Sequence, residues 1–258
     1  MASPRVLIIS SHVATSDVGG AAQVVALERV GVRTVLVPTV LFGRHPGLGA
    51  PGGGPVDLAT FEGLLGGIEA AGVFETLSAV ITGYFASADQ VAAAARAVRT
   101  IAAVGPAARL VVDPIMGDRE TGLYVREAVA CALAAELAPR AWLITPNAWE
   151  LERLTGRAVV DAPSAVAAAR AHGGAVLVSS VDCGGDIGVV YADLACAWLA
   201  SHARRTNAPK GTGDLLTVRF VAANLEGASA REALETSVRA VADYVDNGSA
   251  VVRVEAVT

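Results

Sequence analysis

The sequence predicts an α/β fold in three layers, a mostly parallel central sheet with helices on both faces. Two observations carry this prediction. Short runs such as Arg5-Val6-Leu7-Ile8-Ile9-Ser10 are continuously apolar and rich in branched residues, the pattern of a strand buried on both faces. These runs alternate with segments of helical length, and the breaks between them are short and rich in Gly, Pro and Ser. With 258 residues, 53% hydrophobic and 17% charged, the chain is long enough to bury a full core.

The elements follow in order. After the strand at 5–10, residues 19–30 read as a helix ended by Gly31, and 32–37 as the next strand. Residues 39–55 are dense in Gly and Pro and read as a mobile loop or flap. A helix at 57–71 opens on an acidic residue and closes at Gly72; a strand at 78–83 and an alanine-rich helix at 86–104 follow. The strand at 109–113 is stopped by Pro114, and a loop with Gly117 and Gly122 leads to a helix at about 125–137. A strand at 141–144 halts at Thr145-Pro146, before short helices at 147–155 and 163–172. A strand at 175–178 has a hairpin partner at 187–191 after Gly184-Gly185; two helices and an edge strand at 251–257 finish the chain. Neither an internal repeat nor a long linker divides it, so residues 1–258 read as a single domain.

Composition excludes several function classes. The net charge is −5 and no basic run exists, which argues against nucleic acid and against an anionic membrane surface. No stretch approaches the roughly 20 apolar residues of a membrane span, and the N-terminus carries no cleavage-site pattern, so no signal peptide is expected. Cys131, Cys183 and Cys196 form no CxxC pair and are expected to be reduced, small core residues. His12, His45, His172 and His202 lack zinc-ligand spacing.

The most informative stretch is Lys210-Gly211-Thr212-Gly213-Asp214, followed by an apolar run that ends near Gly227. It reads as a tight loop opening a helix, whose unpaired N–H groups and positive dipole end suit an anion that glycine lets approach closely. A carboxylate gains nothing beside a phosphate it merely binds. Asp214 makes sense as a base that takes the proton of a hydroxyl attacking that phosphate; the alternative is a helix cap.

In such sheets ligands bind beyond the carboxyl ends of the strands. The polar residues there are Ser10-Ser11-His12, Thr82-Gly83-Tyr84, Asp113, Thr145-Pro146-Asn147 and Ser179-Ser180, which are expected to share one edge with the loop before Asp214. Asp113 and Asp118 flank a proline turn and are hard oxygen ligands suited to Mg²⁺ near phosphates, or ordinary turn residues. Asn147 with Glu150 is a capping box whose position also lets both reach phosphate-bound water or metal. His45 lies in the Gly/Pro-rich loop, and Tyr84 can pack in the core or stack on a flat ring. Gly47-Leu48-Gly49-Ala50-Pro51-Gly52 matches G-x-G-x-x-G only through glycine richness, since Pro51 interrupts it and no strand turns directly into a helix there.

Taken together, these motifs resemble the pyridoxal kinases of the ribokinase-like superfamily. The resemblance runs from Ser11 to about Leu225: Ser11-His12-Val13 with Val18-Gly19, Pro38 to Phe42 with His45, Thr82-Gly83-Tyr84, Val112-Asp113-Pro114 with Gly117-Asp118, Ile144 to Asn147 with Glu150-Leu151, and Gly211 to Asp214. It implies a ribokinase-like kinase domain that phosphorylates the hydroxymethyl group of pyridoxal with ATP, Mg²⁺ and a monovalent cation, K⁺ above all. Asp214 would be the base, and Gly211, Thr212 and Gly213 the anion hole. Ser11, His45 and Tyr84 would hold the pyridine ring. Asp118 and Glu150 would lie near Mg²⁺, and Asp113, Tyr124 and Thr145 near the monovalent cation. Asp113, Asn147, Glu150 and Ser179 would line the ATP side. The resemblance also implies a cytoplasmic homodimer with a flap over its substrate. Departures from the family pattern fall around the substrate: Thr15-Ser16, Pro46 and Ala50-Pro51-Gly52. Hydroxymethylpyrimidine kinase is therefore the neighbouring reading. A non-catalytic nucleotide or vitamin binder and a nicotinamide oxidoreductase are the readings from other classes.

Overall fold

The computed structural model describes residues 3–15, 18–205, 208–246 and 251–257. Its class is α/β with a large, mostly parallel central sheet, as the sequence predicts. The chain forms two compact units, Met1–Met116 with Leu123–Ala141, and Gly117–Gly122 with Trp142–Thr258.

The first unit contains β1 (Arg5–Val13), α1 (Gly19–Glu28), β2 (Arg33–Phe42), β3 (Gly53–Pro55), α2 (Leu58–Ala70), β4 (Ala79–Thr82), α3 (Ala88–Val104), β5 (Arg109–Val112) and α4 (Glu127–Ala132). Its strands run in the order β5-β4-β1-β2-β3, parallel except for β3. Val6, Leu7, Ile8 and Ile9 of β1 are completely buried, which is why this strand shows no polar alternation. Asp57 and Ser87 cap α2 and α3 by accepting the amides of Thr60 and Gln90.

The flap differs from a plain loop. β2 continues to Phe42 and pairs antiparallel with β3, Val40 opposite Pro55 and Phe42 opposite Gly53, so residues 39–55 form a hairpin-like excursion with one 3-10 turn at Pro46–Leu48. Gly53 makes this return possible. Its φ is +79° and a Cβ there would stand 2.1 Å from the Leu41 carbonyl oxygen. Nor do Ser10, Ser11 and His12 follow the first strand. They lie within β1, where a register shift between Ser10 and His12 lets the strand run on to Val13.

The second unit contains the short strand β6 (Gly117–Asp118) and the first residue of β7 (Gly122–Leu123), then β8 (Leu143–Ile144), α5 (Ala148–Thr155), α6 (Ala162–His172), β9 (Ala175–Cys183), β10 (Asp186–Ala192), β11 (Ala197–Ala203), α7 (Thr212–Leu225), α8 (Ala230–Asp246) and β12 (Arg253–Ala256). β8 and β9 are parallel, and β9-β10-β11-β12 is an antiparallel meander. β11 has no counterpart among the predicted strands. β9 outruns its predicted end, so Ser179 and Ser180 lie inside it, with Ser180 at φ +61°. The hairpin with β10 supplies the pairing that carries β9 onward to Cys183.

The three cysteines are free, but they are not core residues. Cys131 is exposed on α4, with its thiol donating to Glu127 one turn earlier (3.7 Å), and Cys183 and Cys196 are half-buried. Among the described residues no helix is long and apolar enough to cross a membrane.

Candidate active site

Helix α7 opens on Gly211, which takes the left-handed conformation (φ +89°) and supplies no side-chain cap. The Leu215 amide begins the helical ladder by bonding the Gly211 carbonyl (3.0 Å). The amides of Thr212, Gly213 and Asp214 precede that first ladder bond and form the positive end of the helix. Nothing lies within 4 Å of where a Gly213 Cβ would be, so the approach there is open. Asp214 is half-buried in the same turn. The helix behind this turn is anchored: much of α7 is buried, and Thr217 Oγ1 donates to Thr145 Oγ1 (2.9 Å), both residues being buried.

Beside this turn lies a cleft of about 110 Å³. Ser179, Gly188, His202, Arg205, Thr212 and Gly213 line it, with Val238 and Val241 of α8 giving an apolar wall. His202 Nδ1 donates to the Ala203 carbonyl (3.0 Å), and Arg205 forms a two-pronged ion pair with Asp246 (2.5 and 3.1 Å). The hydrogen bonds from Arg205 hold the Asp246 carboxyl below the ordinary range.

The capping box at α5 is complete. Asn147 Oδ1 accepts the Glu150 amide and Glu150 Oε2 accepts the Asn147 amide (2.9 Å each). Both residues also reach the preceding loop: Asn147 Nδ2 donates to the Gly117 carbonyl (2.8 Å), and Glu150 Oε1 accepts the Gly117 amide (3.3 Å). Gly117 has no room for a side chain, since a Cβ would stand 2.2 Å from the Gly122 carbonyl oxygen. The adjoining Asp118 accepts the amides of Glu120 and Thr121 and the Thr121 hydroxyl (3.0, 2.7 and 2.8 Å). Partial burial pushes its carboxyl up, but those hydrogen bonds and the charge of Lys210 outweigh this and hold it below the ordinary range. Asn147 also forms a β-bridge with Ser179, whose amide donates to the Pro146 carbonyl (3.0 Å). The second unit thus brings Asp118, Thr145, Asn147, Glu150, Ser179 and Gly211–Asp214 onto one scaffold.

Among the described residues no three His, Cys, Asp or Glu side chains converge on a metal. The ionised, half-buried Asp118 is a hard oxygen donor, chemically suited to Mg²⁺ of the kind held by one or two carboxylates together with nucleotide phosphates. Glu150 is 2% exposed and both its oxygens already accept backbone amides.

In the first unit, Ser11 packs over Gly19, where a Cβ would meet the serine oxygen at 2.1 Å. Tyr84 is half-buried; its amide donates to Ser10 Oγ (3.3 Å) and its carbonyl accepts from Thr39 Oγ1 (2.7 Å). Burial pushes its phenol up, opposed by the Arg126 charge. His45 caps the 3-10 turn, Nδ1 accepting the Gly47 amide (3.0 Å). Asp113 is 6% exposed just past β5, whereas Tyr124 is 48% exposed and its amide donates to the Met116 carbonyl (3.0 Å). Of the departures, Thr15 donates to the Gly43 carbonyl (2.7 Å), and Ser16 lies outside the described residues.

Sequence reasoning missed His202 and Arg205. Their segment carries no clear local signal, since the apolar run of β11 is short and alanine-rich.

A glycine-opened helix start with a carboxylate in its first turn, beside a cleft with an apolar wall, on a three-layer α/β scaffold, defines the class: a small-molecule kinase. The chain belongs to the phosphomethylpyrimidine kinase family, whose model matches residues 69–256. Among curated relatives, a pyridoxine/pyridoxal/pyridoxamine kinase of Bordetella avium is 39% identical over 242 residues, covering 91% of this chain and 82% of the relative. A pyridoxal kinase of Corynebacterium diphtheriae is 33% identical, covering 94% and 88%. Among solved structures, pyridoxal kinase of Entamoeba histolytica superposes with a TM-score of 0.89 at 26% identity, covering 95% of this chain and 90% of that one. Pyridoxal kinase of Leishmania donovani in complex with ADP gives 0.87 at 25% identity, covering 94% and 86%. The resemblance read from the motifs is borne out.

Proposed function

We propose that this protein transfers the γ-phosphoryl group of ATP to the 5′-hydroxymethyl group of pyridoxal, and of pyridoxine and pyridoxamine, giving the 5′-phosphates and ADP in vitamin B6 salvage. The observation that carries this reading is the open first turn of α7 with Asp214 inside it. The names of the relatives support the acceptor.

Asp214 takes the proton of the hydroxymethyl group, and the amides from Gly211 to Gly213 receive the charge that gathers on the transferred group. The cleft walled by Val238 and Val241 takes the base of the nucleotide, with Ser179 in its lining and Asn147 bridged to Ser179. Asp118 would hold Mg²⁺, directly or through water, with Glu150 fixing the adjoining Gly117 amide. Bound Mg²⁺ neutralises charge on the phosphates. Asp113, Tyr124 and Thr145 serve a monovalent cation, K⁺ in the first instance. Ser11, His45 and Tyr84 hold the pyridine ring under the 39–55 flap. The protein acts as a single kinase domain, as a homodimer, in the cytoplasm. Hydroxymethylpyrimidine is the second acceptor reading, because the sequence departs from the family pattern around the substrate, at Pro46 and Ala50-Pro51-Gly52.

The test is ADP release with Mg²⁺ and K⁺ across the three B6 vitamers and hydroxymethylpyrimidine, with Asp214→Asn in parallel. We expect turnover on the vitamers, lowered roughly 10²–10⁴-fold in the variant with ADP binding retained. Turnover confined to hydroxymethylpyrimidine would replace the acceptor, and a variant of near-normal rate would remove Asp214 as the base.

A further inference from the structure

We propose that Gln90 is a positioning residue for the acceptor: it fastens both ends of the flap to the loop that carries Tyr84. Gln90 stands in the first turn of α3 and is 1% exposed. Its Nε2 donates to the Thr39 carbonyl (2.9 Å) and to the Val56 carbonyl (2.8 Å), the groups that bracket residues 39–55. Its Oε1 accepts the Ala86 amide (3.0 Å). One buried amide therefore spends both donors and its acceptor on three backbone groups, two at the base of the flap and one in the loop before α3. Only glutamine or asparagine offers that donor and acceptor set, and the reach required favours the longer side chain.

The surrounding bonds make this a clamp rather than an isolated contact. The Val56 amide also donates to the Thr39 carbonyl (3.0 Å), closing the flap base on itself. Thr39 Oγ1 donates to the Tyr84 carbonyl (2.7 Å), and Arg126 donates to the Ala86 carbonyl (2.9 Å). With Ser10 holding the Tyr84 amide (3.3 Å), both polar backbone groups of Tyr84 and of Ala86 are bound by side chains. Beyond Phe42 the flap is braced mostly within itself, as by Arg44 Nε to the Ala50 carbonyl (2.8 Å) and His45 Nδ1 to the Gly47 amide (3.0 Å). The position of His45 relative to Tyr84 is thus set at the base, where Gln90 sits. That these loops frame the acceptor rests on the function proposed above; the clamp itself does not.

The test combines hydrogen exchange with steady-state kinetics on Gln90→Met, Gln90→Glu and Thr39→Val. Met removes all three bonds made by Gln90, Glu keeps the acceptor and removes the amide donors, and Val cuts only the link to the Tyr84 carbonyl. In both Gln90 variants we expect the Val56 amide to exchange about tenfold faster while the amides of β1 are unchanged. We also expect the pyridoxal KM to rise roughly tenfold with the ATP KM within about twofold, and Thr39→Val to raise the pyridoxal KM by a smaller factor. Unchanged Val56 exchange in a folded Gln90 variant overturns the clamp. So does faster exchange throughout the unit with equal rises in both KM values, the mark of plain destabilisation. Should neither Gln90 variant fold, an unchanged pyridoxal KM in Thr39→Val overturns it. If the wild-type protein turns over no B6 vitamer, the acceptor reading falls, and Val56 exchange alone decides the clamp.

Discussion

Helices α5 and α7 begin alike and finish their first turns in opposite ways. Each carries an acidic residue at the third helical position, Glu150 in α5 and Asp214 in α7. In α5 the cap is Asn147, and the two side chains satisfy each other's backbone amides. In α7 the cap is Gly211, which has no side chain to answer, and Asp214 is one methylene shorter than Glu150. A carboxylate in that position is structural when the cap residue closes the box. When glycine stands there instead, the same position leaves a helix start available to an incoming anion.

The largest test of this comparison is to close α7. Gly211→Asp puts a carboxylate at the cap, and aspartate tolerates the left-handed conformation better than most residues. Its charge then competes with phosphate for the first-turn amides. We expect kcat/KM for ATP to fall about 10²–10³-fold, the scale of losing preorganised donors, with little change in Tm. A drop of less than about tenfold would mean that the openness of α7 is not what serves the nucleotide.

The same contrast explains what was legible in the sequence. The Gly211–Asp214 motif, the Asn147–Glu150 box and the doubly buried strands are local signals, carried by residue type and spacing, and the structure repeats them. What was not legible depends on distant partners. β11 is a strand because β10 and β12 pair with it on either side, and the runs within it are too short and alanine-rich to announce this. His202 and Arg205 come to the cleft only through that pairing. Gln90 reads as one more polar residue on an alanine-rich helix, yet it is buried because carbonyls 51 and 34 residues away converge on it. The flap base was hidden for the same reason, since Val40 to Phe42 are held as strand by the far end of β1 on one side and the return at Gly53 on the other.

Next in size is the loop that the closed cap of α5 holds. Asn147 and Glu150 bond both polar backbone groups of Gly117, and Asp118 follows directly. Asp118→Asn should lower apparent Mg²⁺ affinity in turnover by roughly 10–100-fold, the range seen when groups that orient a metal are lost, while ADP binding without metal is kept. Asn147→Ala should cost about 1 kcal/mol of stability through the lost cap and raise the Mg²⁺ requirement less than Asp118→Asn does, because it loosens the loop without removing the proposed ligand. A titration of activity against Mg²⁺ for the two variants, beside their denaturation curves, separates these effects. If Asn147→Ala loses stability with no change in Mg²⁺ requirement, the box supports α5 alone.

The smallest effect lies in the pH dependence of the Asp118 turn. Its carboxyl is held below the ordinary range mainly because hydrogen bonds from Thr121 and Glu120 overcome partial burial. A depressed native pKa means that the unfolded chain binds the proton more readily. The turn's contribution to stability is therefore fully present above the unfolded value, near ~3.9 for an aspartate, and is lost as pH falls through the lower native one. At neutral pH Asp118 stays ionised and its charge does not vary. Thr121→Val removes the hydroxyl donor but keeps the amide, so the native Asp118 pKa, followed by carboxyl NMR, should move up toward ordinary. The variant should then show a shallower loss of stability on the acid side and the same Mg²⁺ requirement as wild type at pH 7. An unmoved pKa would assign the depression to the backbone amides and Lys210, and the Thr121 hydroxyl would be left with a purely geometric part in the turn.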